Sequence, residues 1–223
     1  TFVEKLTENQ ASHDIKYHVA CAVDSAEQVG EFEHNGAHCF NVLRRPVGAA
    51  RAIIYDIDAL KWCIAYIEEN RVQHPIVYVL ACRIGPFFGR YVNRIHALGG
   101  EGLVNPDGHE WKRAKWSAPV RKYWKLSERG MVKHADLMVC DSKNIEKYIK
   151  GEYADLRPET TFIAYGADIR RSALADDDPK FTGWLSEKGL EPFGYYLVVG
   201  RFVPENNYET MIREFMASES KRD

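Results

Sequence analysis

Apolar residues fall into two kinds of pattern along this chain. From Ala49 to Asn70 the residues Ile53, Ile57, Leu60, Ile64 and Ile67 recur at helical spacing, which predicts an amphipathic helix. Ile76 to Ala81 (IVYVLA) is instead a continuous apolar run, the mark of a central strand covered on both faces. Shorter runs of this second kind are Leu103-Val104, Leu137 to Cys140 and Thr161 to Ala164. A helix is predicted from about Ala118 to His134, and Ser142 is placed to cap a further one. Near the start, Thr1 to Leu6 reads as a helix, with Thr1 as its cap and Glu4 completing a capping box. Tyr17 to Val23 is a strand candidate, and Asn35-Gly36 inside Glu31 to Phe40 signals a hairpin. Strands alternating with helices predict an α/β fold, a Rossmann-like parallel sheet with helices on both faces.

Past this region the chain changes character. Asp168 to Pro179 contains Asp176-Asp177-Asp178-Pro179 and reads as an acidic linker. Trp184-Leu185 sits in a short helix, Tyr195 to Gly200 reads as a fresh strand and Glu205 to Met216 as a fresh helix. One such pair cannot bury its own apolar surface. The expected organisation is a first domain over residues 1–175, a linker over 176–192, and the beginning of a second domain over 193–223, in a chain cut at both ends.

Composition narrows the class. The 223 residues are 45% hydrophobic and 28% charged, as in globular proteins rather than disordered ones. No run approaches the roughly 18 apolar residues of a membrane span. The net charge of −2 does not point to nucleic acid. The five cysteines, Cys21, Cys39, Cys63, Cys82 and Cys140, are scattered among apolar neighbours without a CxxC pair. They read as reduced core residues of a cytoplasmic protein.

Ligands of open α/β sheets bind beyond the carboxyl ends of the strands. Here those ends are polar: Cys82 to Pro86, Asn105 to Glu110, Asp141-Ser142, Tyr165 to Asp168 and Gly200-Arg201. Turn formation accounts for the glycines, prolines and Asp107, but not for Arg83, His109, Glu110 and Arg201 on one edge. Gly200-Arg201 precedes a helix start, a combination that suits a phosphate. Between residues 105 and 133, eight basic residues face three acidic ones, interleaved with tryptophans. That stretch suits an anionic membrane surface, a nucleic-acid backbone, or simply a solvated helix face. His34 and His38 would need a helix to converge on a metal, so no metal site is expected. No GxSxG, Walker A or GxGxxG motif occurs.

The order of CDSKNIEKYI, TFIAYGAD and YYLVVGRFVPE resembles the retaining glycosyltransferases of GT-B architecture in the family-four group. VYVLACRIGPF, VNPDGHEWKRAKWS and VVGRFVPENNYETMIREF are similar to segments of bacterial rhamnosyltransferases of capsule and cell-wall polysaccharide synthesis. The resemblance implies transfer of rhamnose from dTDP-rhamnose to a lipid-linked saccharide, with retention and without metal or other cofactor. It implies His109 as the catalytic residue, and Gly200, Arg201 and Asn206 on the donor diphosphate. Asn206 stands where the pattern has a lysine. Arg83, Asp107, Glu110, Tyr165 and Gly166 would serve the acceptor. Lys112, Arg113, Lys115 and Trp116 would rest on the cytoplasmic face of the membrane. A first strand and a Gly-rich turn would precede Thr1. A nucleotide-sugar epimerase of the same architecture and a non-catalytic binding module are the competing classes.

Overall fold

The computed structural model describes residues 2–10, 12, 14–167, 169 and 171–218, so the cap at Thr1 and the turn residue Asp168 lie outside the described residues. They fall into two compact units, Thr1–Lys112 with Trp116–Tyr165, and Arg113–Lys115 with Gly166–Asp223.

The first unit opens with helix α1 (Phe2–Glu8), then strands β1 (His18–Val23), β2 (Glu31–His34) and β3 (Ala37–Leu43). These form a small mixed sheet of order β1-β3-β2, parallel between β1 and β3 and antiparallel between β2 and β3. The predicted hairpin turn is present. Asn35 and Gly36 both take positive φ, 50° and 71°, as a tight two-residue turn requires. Helix α2 (Arg51–Glu69) follows, and its Trp62 stacks between Phe40 of β3 and Tyr66.

The remaining elements alternate as β4 (Ile76–Leu80), α3 (Gly85–Ala97), β5 (Glu101–Asn105), α4 (Ala118–His134), β6 (Leu137–Cys140), α5 (Lys143–Glu152) and β7 (Thr160–Phe162). The strands make an all-parallel sheet of order β4-β5-β6-β7. With its flanking helices this is the expected Rossmann-like α/β fold. Its core joins Val77, Val104, Met138 and Cys140 of the sheet to Leu60, Phe88, Ile95, Met131 and Ile149 of the helices. Ser142 caps α5 through a hydrogen bond from the Asn144 amide, 3.2 Å. Helix α3 was not among the predicted elements, although Phe88, Val92 and Ile95 bury one face of it.

In the second unit, α6 (Pro179–Lys188) starts at a cap made by Asp178 and stops at Gly189, whose φ of 67° ends the helix. Helix α7 spans Tyr208–Ala217. The strand expected over Tyr195 to Gly200 is not formed. Its apolar side chains are exposed, Val199 by 85%. A strand is stabilised by its neighbours' hydrogen bonds and side chains, and no described segment pairs with this one. No described helix is long and apolar enough to cross a membrane.

Helices α3 and α4 cross at backbone contact. A Cβ on Gly85 would lie 1.9 Å from the Ser127 carbonyl oxygen, and one on Gly130 2.6 Å from that of Gly85. The Gly85 amide donates to Ser127 Oγ at 2.8 Å across this crossing. Gly85→Ala is therefore expected to cost about 3 kcal/mol in a denaturant unfolding experiment. Gly151→Ala, where a Cβ meets nothing within 4 Å, should leave stability equal or higher. Equal midpoints for the two variants would contradict the close crossing.

A pH dependence follows from the small sheet. His18 and His38 face each other across β1 and β3 with Nδ1 atoms 3.0 Å apart, and His38 Nε2 lies 2.8 Å from Glu31 Oε2. Only one proton fits between the two Nδ1 atoms. Burial first, and the charge of His38 second, hold the His18 pKa below its ordinary 6.5. The folded chain then binds this proton less readily than the unfolded chain. The contribution is fully present above about 6.5 and is lost as pH falls through that value toward the folded pKa. Urea midpoints should fall between pH about 7.5 and about 5.5, with a shallower slope in His18→Asn. Identical slopes would contradict this coupling.

Candidate functional site

The carboxyl end of β5 is organised by Asn105, which is 3% exposed. Its Oδ1 accepts from the Asp107 amide at 2.7 Å, and its Nδ2 donates to the Tyr165 hydroxyl at 3.1 Å. The first bond is the side-chain turn that aspartate and asparagine favour. It fixes Asp107 in the left-handed region at φ 56°. Ala81, at the end of neighbouring β4, also has positive φ, 130°. A non-glycine residue held there is strained, and such strain gathers at functional edges.

Three adjacent strand ends carry charge. After β4, Arg83 donates through one Nη to both oxygens of Asp56 at 3.1 and 3.2 Å. The Tyr123 hydroxyl donates to the Arg83 carbonyl at 2.8 Å. Burial raises the Asp56 carboxyl, and the Arg83 charge opposes that rise. After β5 stands Asp107, and after β6 stands Asp141. Burial, and then the negative charge of Asp107, raise the Asp141 carboxyl above its usual range. The edge thus offers a fixed cation and two neighbouring carboxylates, one of them with enhanced affinity for a proton.

His109 lies on the loop between β5 and α4. Its imidazole meets the Tyr148 ring edge to face at 4.2 Å. Behind that ring, Glu128 of α4 is 4% exposed and accepts from the hydroxyls of Tyr148, at 2.5 Å, and Tyr153. Lys125 donates to the Tyr148 hydroxyl at 2.6 Å, to Glu152 at 2.7 Å and to Glu128 at 3.3 Å. Its ammonium also lies over the rings of Trp111 and Tyr153. Burial acts to lower the Lys125 pKa, but the bonds to Glu152 and Tyr148 and the Glu128 charge together raise it. Trp111 Nε1 donates to the Tyr148 hydroxyl at 3.3 Å, which ties the loop to α5. Burial and then the Lys112 charge lower the His109 pKa. The Lys125 charge adds to that effect, and Glu128 and Glu152 oppose it. Burial and the Lys112 charge both favour the neutral imidazole over the charged one.

Residues 1–168 match a family described as a domain of unknown function (DUF1972). The chain belongs to the DUF1972 family. No curated protein matches it.

Within the DUF1972 region Arg83, Asp107 and Tyr165 follow the carboxyl ends of β4, β5 and β7, and His109 and Glu110 lie on the loop after β5. Glu110 accepts from Trp116 Nε1 at 2.7 Å, so this pair braces the loop. Trp116 packs on buried Trp124, and Lys112 lies over the Trp111 ring. Arg113 and Lys115 group with the second unit, as do Gly166, Gly200, Arg201 and Asn206. There Asn206 Nδ2 donates to the Arg201 carbonyl at 2.6 Å and shapes the turn. The sequence pattern points to the strand ends that hold Asn105 and Asp141 but to no individual role for them, and to none for Glu128, Lys125 and Tyr148. Asp141 was detectable at a strand end, whereas Glu128, Lys125 and Tyr148 sit on helices and look like ordinary surface charge and aromatic content.

The DUF1972 network makes a signed prediction. Lys125→Met removes a positive charge near His109, so the His109 pKa read by NMR titration should rise. An unchanged or lower value would contradict the arrangement.

Proposed function

We propose that this chain carries the acceptor-side half of a retaining glycosyltransferase. The enzyme moves a deoxyhexose, rhamnose from dTDP-rhamnose, onto a lipid-linked saccharide at the cytoplasmic face of the membrane. The observation that carries the reading is the His109 imidazole, packed on Tyr148 on the loop that follows β5 at the carboxyl edge of a parallel sheet. A neutral imidazole both donates and accepts, which suits a sugar hydroxyl. The motif order described above supplies the reaction class.

In this reading the acceptor hydroxyl oxygen bonds to the anomeric carbon as the carbon–oxygen bond to the diphosphate breaks. The hydroxyl proton passes to the departing diphosphate. Asp107 and Asp141 hold the acceptor hydroxyls, and the raised Asp141 carboxyl tolerates a shared proton. Glu110 keeps its loop in place through Trp116. Arg83, fixed by Asp56, serves an acceptor phosphate. Tyr165 and Gly166 border the acceptor. Arg201, with the Gly200 and Asn206 turn, offsets the charge that grows on the diphosphate. Lys112, Arg113 and Lys115 supply the positive charge for the anionic membrane surface.

The test uses the full-length protein with a panel of nucleotide sugars and a lipid-linked saccharide, with products weighed by mass spectrometry. Added deoxyhexose mass is expected from dTDP-rhamnose. His109→Ala should lower kcat by about a hundredfold. Asp141→Asn should chiefly raise the acceptor KM. Isomerised donor without transfer would replace this reading with an epimerase, and binding without turnover with a binding module.

A further inference from the structure

The turn between β4 and α3 has four residues, Ala81 to Ile84, and helix α4 grips it from outside. Its far end is pinned, because Gly85 meets α4 at backbone contact and its amide donates to Ser127 Oγ at 2.8 Å. One helical turn earlier on α4, the Tyr123 hydroxyl donates to the Arg83 carbonyl at 2.8 Å. Tyr123 and Ser127 are four residues apart, so one face of α4 holds the same turn at two points. Inside the turn the Arg83 amide donates to the Ala81 carbonyl at 3.2 Å, which couples the direction of Arg83 to the backbone at Ala81.

Ala81 carries the cost of this arrangement. It is buried, and its φ of 130° lies where a residue with a Cβ is strained. Such strain persists only where the surrounding contacts over-determine the backbone. Strand β4 fixes one end of the turn and Gly85 the other, and the Tyr123 bond fixes the middle. What the strain secures is the Arg83 side chain. One of its Nη atoms binds both oxygens of Asp56, and its Nε and second Nη make no hydrogen bond among the described residues. The side chain is 35% exposed, so these donors remain open to a ligand.

We propose that Tyr123 is a positioning residue: its bond to the Arg83 carbonyl holds the turn in its strained form and so keeps the Arg83 guanidinium on Asp56 with its free donors at the strand ends. What those donors bind rests on the reading that Arg83 serves an acceptor phosphate. The positioning itself does not depend on that reading, and the experiment separates the two.

The full-length protein is compared with Tyr123→Phe and with Tyr123→Phe combined with Ala81→Gly. One readout is the NMR titration of the Asp56 carboxyl, and the other is acceptor KM against kcat. Without the hydroxyl the turn relaxes toward ordinary φ and Arg83 withdraws. The Asp56 carboxyl, lifted by burial and held down by the Arg83 charge, should then titrate higher. Acceptor KM should rise about tenfold, with a smaller change in kcat. Glycine takes positive φ without strain, so adding Ala81→Gly should restore both values. A loss of packing alone would not be rescued in this way. Arg83→Gln is the control for the acceptor reading. An unchanged KM in that variant would withdraw the acceptor role of Arg83, and the Asp56 titration would then decide the positioning. A wild-type Asp56 titration in folded Tyr123→Phe, or a shift that Ala81→Gly does not reverse, would overturn the proposal.

Discussion

The carboxylate of Glu128 is the interaction on which the candidate site depends. A buried acidic group must find donors, and Glu128 finds them in Tyr148, Tyr153 and Lys125. Those partners come from α5, from the residue that ends it and from α4 itself, so one buried group locks two helices in register. The locked Tyr148 ring then supports His109, and its hydroxyl holds Trp111. Removing any one partner would leave polar groups buried without a match, so the network is satisfied as a whole or not at all. The glycine crossing sets this up one residue earlier, because Ser127 receives the Gly85 amide and places α4 against α3.

The same edge shows how the parallel sheet converts backbone geometry into chemistry. All four strands point the same way, so their ends gather on one side. Asn105 stiffens the middle of that edge, and Arg83 and Asp141 lie on either side of it in strand order. The charges are not independent. Asp107 lifts the Asp141 carboxyl, while Asp56 absorbs part of the Arg83 charge. A polar ligand rich in hydroxyls suits such a mixed edge better than a single strong anion does.

Much of this was legible from local pattern. The runs at Ile76 to Ala81 and Leu137 to Cys140 are strands because their residues must be covered on both faces. Asn35-Gly36 marks its turn because both residues accept positive φ. His109 stood out as a polar residue beyond a strand end, where turn formation does not require it. What escaped was non-local. Tyr195 to Gly200 has strand composition, but composition alone supplies no neighbouring strand. Helix α3 is hidden in the sequence because Cys82 to Pro86 has turn composition and its apolar face, Phe88, Val92 and Ile95, is short. Glu128 resembles any helix-surface acid in sequence. Only folding brings Tyr148, 20 residues away, to its oxygen.

The central claim is that Glu128 holds the His109 loop ready for a saccharide ligand. The most direct measurement is the imidazole NMR signal of His109 in the full-length protein, with and without a lipid-linked saccharide. The account predicts a saturable change at His109 that Glu128→Gln abolishes or strongly weakens while the sheet stays folded. An imidazole signal that ignores the saccharide while the protein still turns it over would contradict the account.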